Sequence, residues 1–173
     1  LVVADAGPIR YLVVIGAVDV LPRLFDHVVI PEYVIKIELG DPSTPPEVQS
    51  WASCPPEWAE IRRPAQTEVL ALHGGEAAAI ALALQLQADA VLLDDAAARR
   101  MAVERGLAVT GTIGVLERAA QRDLLDLRET LERLIRTNFR IASHSPPLHF
   151  LLSPNLSICL SPPPYLSCLI PRR

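Results

Sequence analysis

The chain reads as an α/β protein whose parallel sheet is covered by helices on both faces, and three observations lead there. Short runs that are apolar throughout, LVVA, HVVI and AVLL, are too greasy to leave one face in water, so they belong in a sheet buried on both sides. These runs alternate with helical stretches over the first 140 residues, as crossovers between parallel strands require. The whole chain has 173 residues, half of them hydrophobic and about a fifth charged, which is one domain's worth with ample material for a core.

Residues 1–5 form a buried first strand. PIRYLVVIGAVDVL, residues 8–21, is a helix opened by Gly7-Pro8 and closed near Leu21-Pro22. HVVIPE is the second strand; Pro31 ends it and opens a helix through Leu39, which Gly40 stops. DPSTPPEVQSWASCPPEW is a loop with a short helix over Glu47–Ala52, and WAEIR is an edge strand or extended connector. From Gly74-Gly75 the helix EAAAIALALQLQ leads into the strand ADAVLLD. A helix over residues 96–105, the strand LAVTG and a helix over Ile113–Ala120 follow. In DLRETLERLIRT the leucines at 127, 131 and 134 make an i, i+4, i+7 stripe, the mark of an amphipathic helix.

Residues 141–173 break this pattern. From Ser143 onward there are seven prolines, six serines and no acid, which leaves neither helix nor central strand as an option. The expectation is a domain over 1–140 and an irregular Pro/Ser-rich tail, either an extended surface segment or a short peptide for a partner. Cys54, Cys159 and Cys168 are scattered and odd in number, so neither a disulfide framework nor a CxxC knuckle is expected. With no apolar run of membrane-spanning length and no basic leader with an A-x-A site, a cytoplasmic protein is expected.

The net charge of −4 is unevenly spread. Residues 1–97 carry 14 acids against 5 bases, whereas residues 98–140 carry 9 arginines against 6 acids. Arginine forks suit phosphate oxygens, so the second segment is a candidate for seating a nucleic acid; GC-rich coding accounts for it equally well.

The chemistry lies in the acids. Asp5 ends the first apolar run, and Asp94 and Asp95 end AVLLDD. An unpaired buried charge is costly, and in an open parallel sheet ligands gather beyond the carboxyl ends of the strands. Glu76 opens the EAAAIALAL helix, where the macrodipole alone favours an acid, yet that helix leads straight to the strand ending in Asp94. Glu38 lies late in its helix, where the dipole opposes it, and Lys36 two residues away does not face it. Carboxylates meeting without His or Cys specify a hard cation, Mg²⁺ or Mn²⁺, rather than zinc. Such an ion activates water and neutralises a phosphodiester under attack.

VVADAGPI, VVIPEYVIKIEL, GGEAAAIALALQLQADAVLLDD and GLAVTGTIGVL, in that order, resemble the PIN-domain family over residues 1 to about 140. That family contains metal-dependent ribonucleases, among them the VapC-type toxins of toxin–antitoxin pairs. The GEAAAIALA and VTGTIGVL segments, with an arginine pair after the double aspartate, look most like a branch described as predicted nucleic-acid-binding proteins. The resemblance implies a three-layer α/β/α fold with a central parallel sheet and catalytic metal ligands at Asp5, Glu38, Glu76 and Asp94. Glu76 falls where the family often has aspartate. Asp95 is either an auxiliary metal ligand or the N-cap of the next helix. Thr110 and Thr112 are placed to bond a carboxylate or phosphate, or simply to close the turn at Gly111. Arg10 departs from a generally apolar position, and the ending after residue 140 has no counterpart.

The function this implies is a Mg²⁺- or Mn²⁺-dependent endoribonuclease, the toxin of a type II toxin–antitoxin pair, with RNA and an antitoxin as partners, a homodimer, and no membrane. The alternative is a catalytically inactive PIN-fold module binding nucleic acid or protein. A receiver-like phosphoacceptor, a third reading, wants a lysine near the acid and finds only Lys36. Trp51, Trp58 and Tyr33 are too scattered for a base-stacking platform and read as packing residues. His27 and His73 pair with no nucleophile, Ser43, Ser50 and Ser53 lack a G-x-S-x-G setting, and neither GxGxxG nor a P-loop occurs.

Overall fold

A computed structural model describes residues 1–65 and 74–139. Five parallel strands, β1 (Val2–Ala4), β2 (Val28–Pro31), β3 (Ala59–Arg62), β4 (Ala90–Leu92) and β5 (Val109–Thr110), form one sheet in the order β3-β2-β1-β4-β5. Val2 registers with Val28 on one side and Ala90 on the other, so β1 is central. Every residue of β1, β2 and β4 is buried, as runs without polar alternation require, whereas β3 closes one edge and exposes its last two residues.

The helices are α1 (Ala6–Val14), α2 (Leu21–Leu24), α3 (Pro46–Ser53), α4 (Gly74–Gln85), α5 (Ala96–Glu104), α6 (Thr112–Gln121) and α7 (Leu127–Ile135), with a 3-10 turn at Val18–Val20 and a π-helix at Val34–Leu39. Val3, Val29 and Val91 point to one face, where they pack with Ile80 and Leu82 of α4 and Ala98 and Ala102 of α5. The alternate strand residues face the other way by the two-residue period of a strand. Right-handed crossovers put the β1-to-β2 connection and the β3-to-β4 connection on opposite faces, because the chain travels in opposite directions along the sheet. The result is the α/β/α sandwich expected. α7 buries Thr130, Leu131 and Leu134, two of them leucines of the predicted stripe.

Two elements differ from expectation. The helix expected over 8–21 stops at Val14, because Gly16 takes φ +66° and turns the chain into the 3-10 turn. Pro22 then lies in the first turn of α2 instead of closing a helix. The helix expected after Pro31 is wound as a π-helix, with the Gly40 amide donating to the Ile35 carbonyl at 3.0 Å. Among the described residues no helix is long and apolar enough to cross a membrane. His73 and the irregular tail expected over 141–173 lie outside the described residues.

Candidate acidic site at the carboxyl edge of the sheet

From β1 the chain moves outward to β2 and β3, then returns to β4 on the other flank of β1. The carboxyl ends of β1 and β4 therefore border a topological switch point, where an open α/β sheet offers a crevice. Asp5 and Asp94 stand on its two banks. The Asp5 amide donates to the Leu92 carbonyl at 3.1 Å, tying Asp5 to the end of β4. Across the gap, an added Cβ on Gly7 would lie 3.4 Å from Asp94 Oδ2, so the first turn of α1 passes directly against that carboxylate.

Asp5 is buried, and its Oδ1 has no hydrogen-bond partner among the described residues. Burial pushes its carboxyl up to about 7, the negative charges of Glu38 and Glu76 add to the rise, and the amides of Ala6 and Gly7 offset part of it. Three of the sequence-predicted acids thus share one electrostatic neighbourhood.

Glu38 reaches it from the π-helix. Its Oε1 accepts from the Gly75 amide at 3.0 Å, at the start of α4. An acid unfavourably placed near the end of its own helix is favourably placed at the beginning of another. Glu76 follows in the first turn of α4.

Asp94 is held differently. Thr112 donates to it twice, from its amide to Oδ1 at 2.8 Å and from its hydroxyl to Oδ2 at 2.6 Å. Burial raises the Asp94 carboxyl, and the two Thr112 bonds and the Arg99 guanidinium pull it back. Arg99 is itself anchored by donation from Nη1 to the Leu93 carbonyl at 2.9 Å. Gly111 leaves room for both groups; an added Cβ would lie 2.7 Å from Arg99 Nη1 and 2.7 Å from Asp94 Oδ1. Of the two options for Thr112, bonding a carboxylate is the one realised. Thr112→Val keeps the shape of this buried side chain but removes a hydrogen bond to a charged group, and is expected to cost about 1.5–3 kcal/mol in urea unfolding.

Asp95 is exposed, and its Oδ1 accepts from the amides of Ala97 and Ala98 at 2.7 and 2.9 Å. It is the N-cap of α5. Asp95→Ala is expected to lower stability by about 1 kcal/mol in thermal melting, the usual cost of a lost cap.

Among the described residues, the arginines of the segment 98–140 do not assemble into one patch at this edge. Arg99 sits beside Asp94, and Arg100 follows it on the exposed side of α5. Arg133 instead donates to the Ile15 carbonyl beyond the end of α1, Arg122 to the Arg23 carbonyl, and Arg118 lies 5.7 Å over the Phe25 ring. These three are at the opposite edge of the sheet, because α1 and α6 both start at the carboxyl edge and run away from it. Exposed cations at the carboxyl edge come also from the acidic half of the chain: Lys36 and Arg63 both pair with Glu32, each at 2.6 Å. Trp51 and Trp58 pack on one another with ring centroids 6.0 Å apart, as packing residues do, while Tyr33 is 43% exposed.

Sequence reasoning missed Gly75 and Arg99 as parts of the site. The paired glycines ahead of an acid were the available signal for the first, and the arginine pair after the double aspartate for the second.

A family model described as a PIN domain matches residues 1–145. This chain belongs to the PIN domain family. No curated protein and no solved structure matches it. PIN domains have a nuclease-like fold, and in this one Asp5 and Asp94 follow the neighbouring central strands β1 and β4. The donors are all carboxylates, a set suited to a hard divalent cation. Among the described residues, no three His, Cys, Asp or Glu side chains stand close enough to form a ready-made metal cluster.

Proposed function

We propose that this PIN domain is a divalent-metal-dependent endoribonuclease and the toxin half of a type II toxin–antitoxin pair. The observation that carries the catalytic part is Asp5 Oδ1: a buried carboxylate oxygen without a hydrogen-bond partner among the described residues, beside the charges of Glu38 and Glu76, at the switch point of a parallel sheet. Such an oxygen is costly to bury unless a cation is to satisfy it. Asp5, Glu38, Glu76 and Asp94 are the residues that would hold Mg²⁺ or Mn²⁺. When bound, the ion supplies an activated water and charge neutralisation at a backbone phosphate. The protein's part is to keep Asp5 dry, to orient Asp94 through Thr112, and to hold Glu38 on the Gly75 amide. Arg100, Lys36 and Arg63 are the cations best placed to meet RNA phosphates at this edge. Toxin function, a cognate antitoxin and a homodimer rest on the resemblance to VapC-type proteins, and a cytoplasmic location on the sequence reading above.

A second reading is favoured by Asp94, both of whose oxygens already accept from Thr112: a PIN-fold module that binds nucleic acid or protein without catalysis. Calorimetric titration with Mn²⁺ separates the two. The nuclease reading expects saturable binding that Asp94→Asn removes, and cleavage of single-stranded RNA that stops when EDTA withdraws the metal. Wild-type protein that binds no Mn²⁺ would leave the binding module as the better account.

A further inference from the structure

The π-helix and the start of α4 meet through two glycines that have no room for a side chain. An added Cβ on Gly74 would fall 2.5 Å from Tyr33 Cζ and 2.7 Å from its hydroxyl oxygen. On Gly75 it would collide with both carboxylate oxygens of Glu38 and lie 2.5 Å from Glu38 Cδ. Tyr33, at the N-cap of the π-helix, and Glu38, within it, thus rest on consecutive bare α-carbons of α4. Tyr33 and Glu38 are five residues apart. In an α-helix that spacing turns them about 140° from each other, so they could not both face α4. Winding with i→i+5 hydrogen bonds puts more residues in each turn and so narrows the angle between residues five apart.

We infer that Gly75 is a positioning residue: its amide and missing side chain set the Glu38 carboxylate, carried by the π-helix, in the acidic crevice. The link to metal rests on the nuclease reading above; the docking itself does not. The hydrogen bond donated by the Gly75 amide fixes one oxygen of Glu38, the bare α-carbon lets the carboxylate come down onto the backbone, and Tyr33 on Gly74 holds the start of the π-helix in place. A flexible side chain of three rotatable bonds is in this way fixed before any ligand arrives, which lowers the entropic cost of binding one.

The test uses the full chain. Gly75→Ala is expected to weaken Mn²⁺ binding by about tenfold or more, the usual scale for loss of a group that orients a metal ligand. Adding Glu38→Asp, which withdraws the carboxylate by one methylene, should recover part of that loss. A merely structural glycine would gain nothing from the second change. A second measurement needs neither metal nor activity. In the metal-free protein, Glu38→Ala should shift the Gly75 amide resonance and speed its hydrogen exchange. Unchanged Mn²⁺ affinity in Gly75→Ala, or a Gly75 amide indifferent to Glu38→Ala, overturns the inference. An amide that responds in a protein that binds no Mn²⁺ upholds the docking and sinks only the nuclease reading.

Discussion

Asp5→Asn is expected to abolish metal-stimulated RNA cleavage, by at least ~100-fold, while the variant folds as well as its parent. The size follows from losing a ligand to an ion that supplies several kcal/mol of transition-state stabilisation, at about 1.36 kcal/mol per decade of rate. Folding survives because asparagine has the same shape and carries no charge. The parent carboxylate is buried with Oδ1 unbonded, so the native state gains by its neutralisation. Gel-resolved cleavage of a single-stranded RNA in Mn²⁺, beside urea unfolding of both proteins, measures the two halves of this prediction. Equal cleavage by both proteins would remove Asp5 from the site.

In metal-free buffer, stability is expected to fall as pH rises from about 4 to about 7, and Asp5→Asn should flatten most of that fall. The native state holds the Asp5 proton up to about 7, whereas an ordinary aspartate releases it near 3.8. Between those values the folded protein binds more protons than the unfolded one, so stability drops with rising pH and levels off above about 7. The Asp5 contribution is roughly 4 kcal/mol at most, since each tenfold change in proton affinity corresponds to about 1.36 kcal/mol. Asp94 and Glu117 are raised by burial and act in the same direction. Glu32 and Asp41 are lowered and act oppositely, but both are solvent-screened. Urea midpoints at pH 5 and pH 8 measure the effect. A parent as stable at the higher pH as at the lower would mean that Asp5 carries its charge in the fold without strain. Saturating Mn²⁺ should restore stability at pH 8 to the parent and not to the variant.

The site is built from backbone as much as from side chains. Gly7, Gly75 and Gly111 each bring main chain against an acid, and a methyl group at 75 or 111 would force that acid to move. The carboxylates are then held by amides and a hydroxyl before a ligand is present, which is how oxygen donors are kept in place without mutual repulsion dispersing them.

Much of the fold was legible residue by residue. Val2–Ala4, Val28–Pro31 and Ala90–Leu92 are strands because continuous apolar runs suit a sheet covered on both faces, and that signal is local. The long first helix was over-extended because one glycine inside an apolar stretch does not reveal its φ in sequence; Gly16 turned out to be the break. The π-winding of Val34–Leu39 was invisible for a related reason. VIKIEL suits an α-helix, and nothing in it marks the wider turn that the structure shows where this segment meets Gly75.

The amino-acid order alone determined which segments enter the sheet and that Asp5 and Asp94 cap its central strands, because burial and strand direction follow from short-range pattern. Tertiary structure decided the rest: that Glu38 lies on an amide 37 residues away, that Thr112 holds Asp94, that Asp95 is a cap, and that Arg118, Arg122 and Arg133 face away from the acids. Those outcomes depend on where crossovers deliver side chains in space, and a carboxylate or guanidinium bonds whatever donor or acceptor the packing brings within about 3 Å.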